Sequence, residues 1–414
     1  MGTESGARPV AVVSVSTVSM AFGSILGFLP GFIATALRTD LGLDRWQVGL
    51  LVSVHYGVTG LGSLPAGRLT DRWGARRAVL TNMALVVLAA ALAASLGSYP
   101  ALLVAAVLSG FGYALTIVGT NVAMVRLVAP RWRTVAMVTK NAGLPCLSAV
   151  CAAAGPWIAQ RWGWEWMFAV LGVGAAGVAV SALRVLPDDR PEDRGKVEHR
   201  LPEHFGWFPV AAFLMVAGAV PLYNWSVPYV DESLGASSVV SGLLVGVAAA
   251  VGATFMVVVG ALASRVGPEG RTRLVMTLSV DSPLPWVLFG FVRYRVRLAM
   301  TLCLALSGFV ALVMAGGTFG VWVALVGIVG GISLFTASIG ALHAAAVDRA
   351  GPAVARATAV TTTGYFLGLT VSPVTFGAFV DSFGSYGWAW FAAAMLLVGA
   401  AVAFRLAGRL PPGA

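Results

Sequence analysis

Long apolar stretches separated by short polar connectors run the length of the chain. Twelve of them are long enough to cross a bilayer, at 10–37, 46–69, 77–96, 101–125, 135–158, 166–185, 207–230, 239–263, 297–315, 319–346, 355–380 and 387–406. A helix needs about 20 apolar residues to cross the hydrocarbon core, whereas a barrel strand needs about 10 in strict alternation. That alternation is missing, so the pattern predicts an all-α polytopic membrane protein.

The connectors alternate in charge. Arginines cluster at 71–77, 126–133, 184–200, 265–273 and 349–356, and Arg405 and Arg409 follow the last stretch. The connectors between them hold Arg38 and Arg45, then no basic residue at 97–100, then Arg161, then none at 231–240. Basic loops stay in the cytoplasm, so both termini are expected there, in a multi-pass protein of the cell (inner) membrane. Residues 1–9 are too short and too weakly basic for a cleaved leader, and the first apolar helix is expected to be retained.

Composition then excludes other classes. Of 414 residues 58% are hydrophobic and 11% charged, with a mean hydropathy of +0.86. A soluble domain carries about 25% charged residues. The net charge of +10 invites a nucleic-acid partner, but the basic residues are confined to connectors and no such partner is expected. Cys146, Cys151 and Cys303 lie in apolar stretches, without metal-ligand or disulfide spacing, and read as packing residues.

The chain repeats itself. Gly42 and Gly235, Gly49 and Gly242, Gly67 and Gly260, and Gly74 and Gly267 are each 193 residues apart. Later the offset grows to 220 for Gly97 and Gly317, and to 222 for Gly155 and Gly377 and for Trp166 and Trp388. A Pro-rich charged stretch between the repeats reads as a linker, which predicts six-helix bundles at 1–186 and 207–414 joined by 187–206. The growth in offset falls near 271–294, where Asp281, Pro283 and Pro285 interrupt an apolar run. A span there would invert every later connector, so a non-spanning extra segment is expected.

Between the second and third spans stands GRLTDRWGARR, Gly67 to Arg77. It resembles the signature loop of the major facilitator superfamily, G-x-L-a-D-r-x-G-r-k. Gly67, Leu69, Asp71, Arg72, Gly74 and Arg76 agree, and Ala75 stands where the family usually has a basic residue. The resemblance implies two pseudo-symmetric six-helix bundles rocking about a midplane cavity. It implies that helices one, two, four, five, seven, eight, ten and eleven line the path. It also implies a conformational latch, in which Asp71 meets a basic residue ending the fourth span, here Arg126, and the start of the eleventh. The glycines would permit a tight turn between helices. Arg126 also reads as one more cytoplasmic basic residue.

Polar residues inside spans are costly and therefore informative. Lys140 lies about two turns into the fifth span beside Asn141, Gly143 and Pro145. It either holds an anion as a point charge or snorkels to the surface. His55 and Tyr56 fall near mid-depth in the second span, where the histidine either titrates and couples protons or packs. Asn121 in the fourth span and His343 in the tenth occupy corresponding repeat positions and face either the cavity or the core. Tyr223, Asn224 and Trp225 stand between Pro221 and Pro228, suited to a substrate wall or an interfacial belt. Tyr365 in the eleventh span is a further wall residue, and Asp231 and Glu232 read as solvated. No nucleophile-base set, metal cluster or GxxxxGK[ST] loop is present, so no enzyme activity, metal or cofactor is expected.

The fifth-span run TKNAGLP resembles the l-K-q-a-G-x-P pattern of cyanate-permease-like organic-anion carriers, with Asn141 in place of the common Gln. Gly155-Pro156 resembles a motif of proton-coupled drug exporters, but Cys151, Ala159 and Gln160 depart from its glycines, and Ala106 stands in place of their arginine. The expected function is secondary transport, symport or antiport, of a small carboxylate-type anion by a monomer, with proton coupling open. The alternative is proton-coupled export of lipophilic compounds.

Overall fold

The computed structural model describes residues 7–129, 132–188, 201–202, 205–265, 295–350 and 353–407. Fifteen helices are found there: α1 (Ala7–Phe32), α2 (Ala34–Leu41), α3 (Arg45–Trp73), α4 (Ala75–Leu96), α5 (Tyr99–Leu127), α6 (Arg133–Trp162), α7 (Glu165–Val185), α8 (Trp207–Ala219), α9 (Pro221–Asn224), α10 (Ser226–Leu234), α11 (Ser238–Arg265), α12 (Arg295–Phe319), α13 (Val321–Arg349), α14 (Val354–Phe383) and α15 (Tyr386–Ala407). Among the described residues eleven helices are long and apolar enough to cross a membrane, and the shorter apolar stretch Ser238–Thr254 of α11 supplies the twelfth span.

The packing is pseudo-symmetric. In the first half α1 packs on α6, α3 on α5, α4 on α5, and α4 on α7. Their counterparts repeat in the second half: α8 on α14, α11 on α13, α12 on α13, and α12 on α15. Two further crossings, α3 on α14 and α6 on α11, join the halves and are counterparts of each other.

The repeated glycines have a physical reason. Gly42 and Gly235 sit in the left-handed region, at φ 65° and 70°, and end α2 and α10 in the same way. Only glycine does this at no steric cost. Gly49 and Gly242 mark the two inter-half crossings. A Cβ on Gly49 would stand well inside 3.0 Å of the Pro373 carbonyl oxygen, and one on Gly242 equally close to that of Ala152. Here backbone lies directly on backbone, at the end of the bundle opposite the start of α1.

Three expectations need correction. The first stretch is not one helix: it breaks at Ile33 (φ −110°, ψ 20°) into α1 and α2. The seventh breaks twice. The ring of Pro228 cannot coexist with a helical carbonyl four residues earlier, so the helix opens around Trp225 and the Asn224 backbone is left against Gly31. Finally, the signature stretch is hardly a loop. α3 runs through Trp73, beyond the predicted end at 69, and Gly74 alone (φ 83°) makes the turn into α4. The extra segment at 271–294 lies outside the described residues, as do most of the linker and Arg409.

Candidate functional site

Lys140 lies on α6 and is 2% exposed. The helix is drawn against α1 by Gly143, whose missing side chain admits the Thr17 carbonyl. One turn earlier, the Lys140 ammonium reaches across to α5. Nζ donates to Asn121 Oδ1 at 2.5 Å and to Thr120 Oγ1 at 3.3 Å. Both acceptors are neutral. Among the described residues no carboxylate pairs with Lys140. An ammonium has three donors, so one remains for another acceptor. A buried, unpaired cation is costly, and an anion relieves that cost. The side chain therefore turns inward and does not snorkel. Asn141, one residue on, points about 100° away around the helix and is exposed. It does not join the Lys140 group.

A second group lies between the halves. Phe28 of α1 stands 5.3 Å from the ring of Tyr56 on α3 and 5.3 Å from that of Tyr223 on α9. His55 lies 4.8 Å from Tyr56 and 5.9 Å from Tyr113 of α5, and Tyr223 lies 6.4 Å from Phe335 of α13. Tyr365 of α14 lies near Tyr56 and Tyr113. The bare face of Gly27 lets His55 and Tyr56 close on α1, since a Cβ there would meet the imidazole at 2.5 Å.

Among the described residues, several polar atoms here are buried without partners. His55 Nδ1 is 2.9 Å from Ser109 Oγ, but its Nε2 has no partner. The Tyr56 hydroxyl and both amide atoms of Asn224 are likewise unpartnered. Trp225 differs: its indole N–H donates to the Pro373 carbonyl at 3.2 Å and its ring stacks on Phe376, so it braces α10 against α14. His343 is half-buried. Its Nδ1 lies 2.9 Å from the Ile339 carbonyl of its own helix, and its ring is 6.4 Å from Tyr365, at the edge of the group.

A third group was misread from the sequence. Glu232 is not simply solvated: Arg38 and Arg45 both bond its carboxylate, Arg45 at 2.5 Å, and the Tyr386 hydroxyl donates to it at 3.1 Å. Arg45 also meets Asp381 at 3.1 Å, and Thr35 donates to Asp231 at 2.9 Å. Every one of these bonds except Tyr386–Glu232 joins the first half to the second. Burial pushes the Asp231 carboxyl above its ordinary range. The Thr35 hydrogen bond opposes that shift and the Glu232 charge adds to it.

At the opposite end the latch residues stand apart. Asp71 and Arg72 are exposed in the last turn of α3, and a Cβ on Gly67 would meet nothing within 4 Å. Arg76 donates to the Leu183 carbonyl of α7 at 2.9 Å. Arg126 is half-buried with interactions of its own, and no ion pair joins it to Asp71 among the described residues.

Phe28, Tyr113, Thr120 and Ser109 were not legible as site residues. Tyr113 and Thr120 are seven apart and share a face of α5, a signal that could have found those two.

Comparison with known proteins agrees with this arrangement. The sequence model of the Major Facilitator Superfamily matches residues 12–294. The chain is 30% identical over 256 residues to the "Probable nitrate/nitrite transporter NarK2" of Mycobacterium tuberculosis, covering 58% of this chain and 63% of that protein. It is 28% identical over 160 residues to the 3-(3-hydroxy-phenyl)propionate transporter of Escherichia coli, covering 38% and 39%. The chain thus spans less than two thirds of the length of these curated relatives. The crystal structure of a D-xylose-proton symporter superposes with a TM-score of 0.72 at 15% identity, over 96% of this chain and 97% of that one, which shows the fold. The chain belongs to the Major Facilitator Superfamily.

Proposed function

We propose that this protein is a secondary transporter of a small organic anion, working by alternating access. One observation carries the reading. The Lys140 ammonium is buried between α5 and α6 and, among the described residues, is held only by neutral oxygens and has no anion of its own. The matches to a nitrate/nitrite transporter and to a transporter of an aromatic acid support an anionic substrate. The moving bodies are 1–186 and 207–414, with the termini cytoplasmic in the cell membrane and one chain as the working unit. Asp71 and Arg126 latch the opposite state from the one described. A proton coupled to the anion would be carried by His55 or His343.

Uptake into proteoliposomes of a panel of small organic anions and lipophilic cations, with and without a pH gradient, tests this. Anion uptake that Lys140→Ala abolishes supports the reading. Uptake of lipophilic cations alone, or anion uptake indifferent to Lys140→Ala, overturns it.

A further inference from the structure

We infer that the anion carries an aromatic ring bearing a hydroxyl at the end remote from its carboxylate. This rests on the reading of Lys140 as the anchor and adds the other end of the ligand.

The first ground is distance. Tyr113 and Thr120 lie on one face of α5, two turns apart, so the ammonium group and the aromatic group are separated by about 10 Å along the helix. That is the reach of a short aryl carboxylate with a hydrogen bond at each end. It is too long for acetate or formate to touch both.

The second ground is chemistry. The far group gathers rings from both halves, Phe28, Tyr56 and Tyr113 from one and Tyr223 from the other, buried and packed on one another. Aromatic faces and edges favour another aromatic ring over an aliphatic chain of equal area. In this group His55 Nε2 and the Tyr56 hydroxyl are buried and, among the described residues, without partners, as is the Asn224 amide next to Tyr223 in the chain. Buried polar groups ordinarily find hydrogen bonds. An aliphatic acid would leave these atoms orphaned. A ring hydroxyl, which both donates and accepts, matches them.

The third ground is that the site is built. Gly27 and Gly31, one turn apart on α1, are bare where His55, Tyr56 and the Asn224 backbone press against it. The Asn224 side chain, just before the break at Trp225, is buried. The ligand thus bridges the halves, with its carboxylate on the first and its ring on both.

Binding of four acids of equal charge to the purified full-length protein tests the inference by calorimetry: 3-(4-hydroxyphenyl)propionate, 3-phenylpropionate, 3-cyclohexylpropionate and hexanoate. The hydroxyphenyl acid is expected to bind about fivefold tighter than the phenyl acid, and the phenyl acid about fivefold tighter than the cyclohexyl one. Tyr56→Phe, which keeps the ring, should shrink the first ratio toward one. Phe28→Leu should shrink the second. If all four acids bind alike and all require Lys140, the aromatic inference falls while the anion reading stands. If the protein binds none of them, both fall.

Discussion

Arg45 of α3 and Glu232 of α10 meet at 2.5 Å across the two halves of the bundle, at the end away from the termini. Arg38, Asp381 and Tyr386 extend that contact into a network across this closed end, and opening the end would part its bonds between the halves. The side chains are about a quarter exposed or less, so solvent screens each pair, and the network as a whole holds closure by about 1–2 kcal/mol. Glu232→Gln is therefore expected to shift the population several-fold toward the state open at this end. Distances between spin labels on α2 and α15 would show it. An unchanged distance distribution would mean that the ion pairs are incidental to closure.

Asp231 adds a pH dependence with a definite sign. Its carboxyl is held above its ordinary range when this end is closed, chiefly by burial. A raised value in the closed state means that proton binding favours closure. Closure is strengthened below the ordinary aspartate value of about 3.9 and loses this contribution as pH rises through the raised value. Asp231→Asn should flatten the response of the same label distances to pH in that window.

Asn121 offers a test of Lys140 that keeps the lysine. Asn121→Asp places a carboxylate where the amide oxygen now accepts from Nζ. The internal pair should raise thermal stability, by roughly 1–2 kcal/mol, because a buried cation gains a counter-ion. It should also weaken external anions by tenfold or more, since the ligand must now displace that carboxylate. Thermal melting and anion binding should thus move in opposite directions.

The two inter-half crossings should behave as a pair. Gly49→Ala and Gly242→Ala each press a methyl group into a facing carbonyl, at Pro373 and Ala152. Overpacking of this kind costs about 1–3 kcal/mol. The cost falls only on the state in which this end is closed, so both substitutions should raise accessibility of introduced cysteines on α2 and α10. A control at Gly177, where an added Cβ meets nothing within 4 Å, should do neither.

Hydropathy made the helices legible because lipid leaves the backbone almost no alternative to helix. The glycine offsets announced the repeat because the same caps and crossings recur in both halves. Lys140 stood out as a cation in an apolar run. Asn121 stood out too, as a polar residue inside the fourth span, but its bond to Lys140 did not, nor did Thr120 at all, since nothing in a single sequence pairs position 140 with 120 or 121. Glu232 was misread for the same reason: it sits near the end of a helix, where carboxylates are usually wet, and Arg45 lies 187 positions away. Phe28 is one phenylalanine among 20, and its place between Tyr56 and Tyr223 is a property of the assembled bundle.

The meeting of Gly49 with Pro373 and of Gly242 with Ala152 has a kinetic consequence. Surfaces that interdigitate must re-sort their rotamers each time they part, whereas two bare main chains separate like smooth rails. A seam made this way can be tight at rest and still release quickly, so turnover need not be throttled by the fit that keeps the barrier sealed.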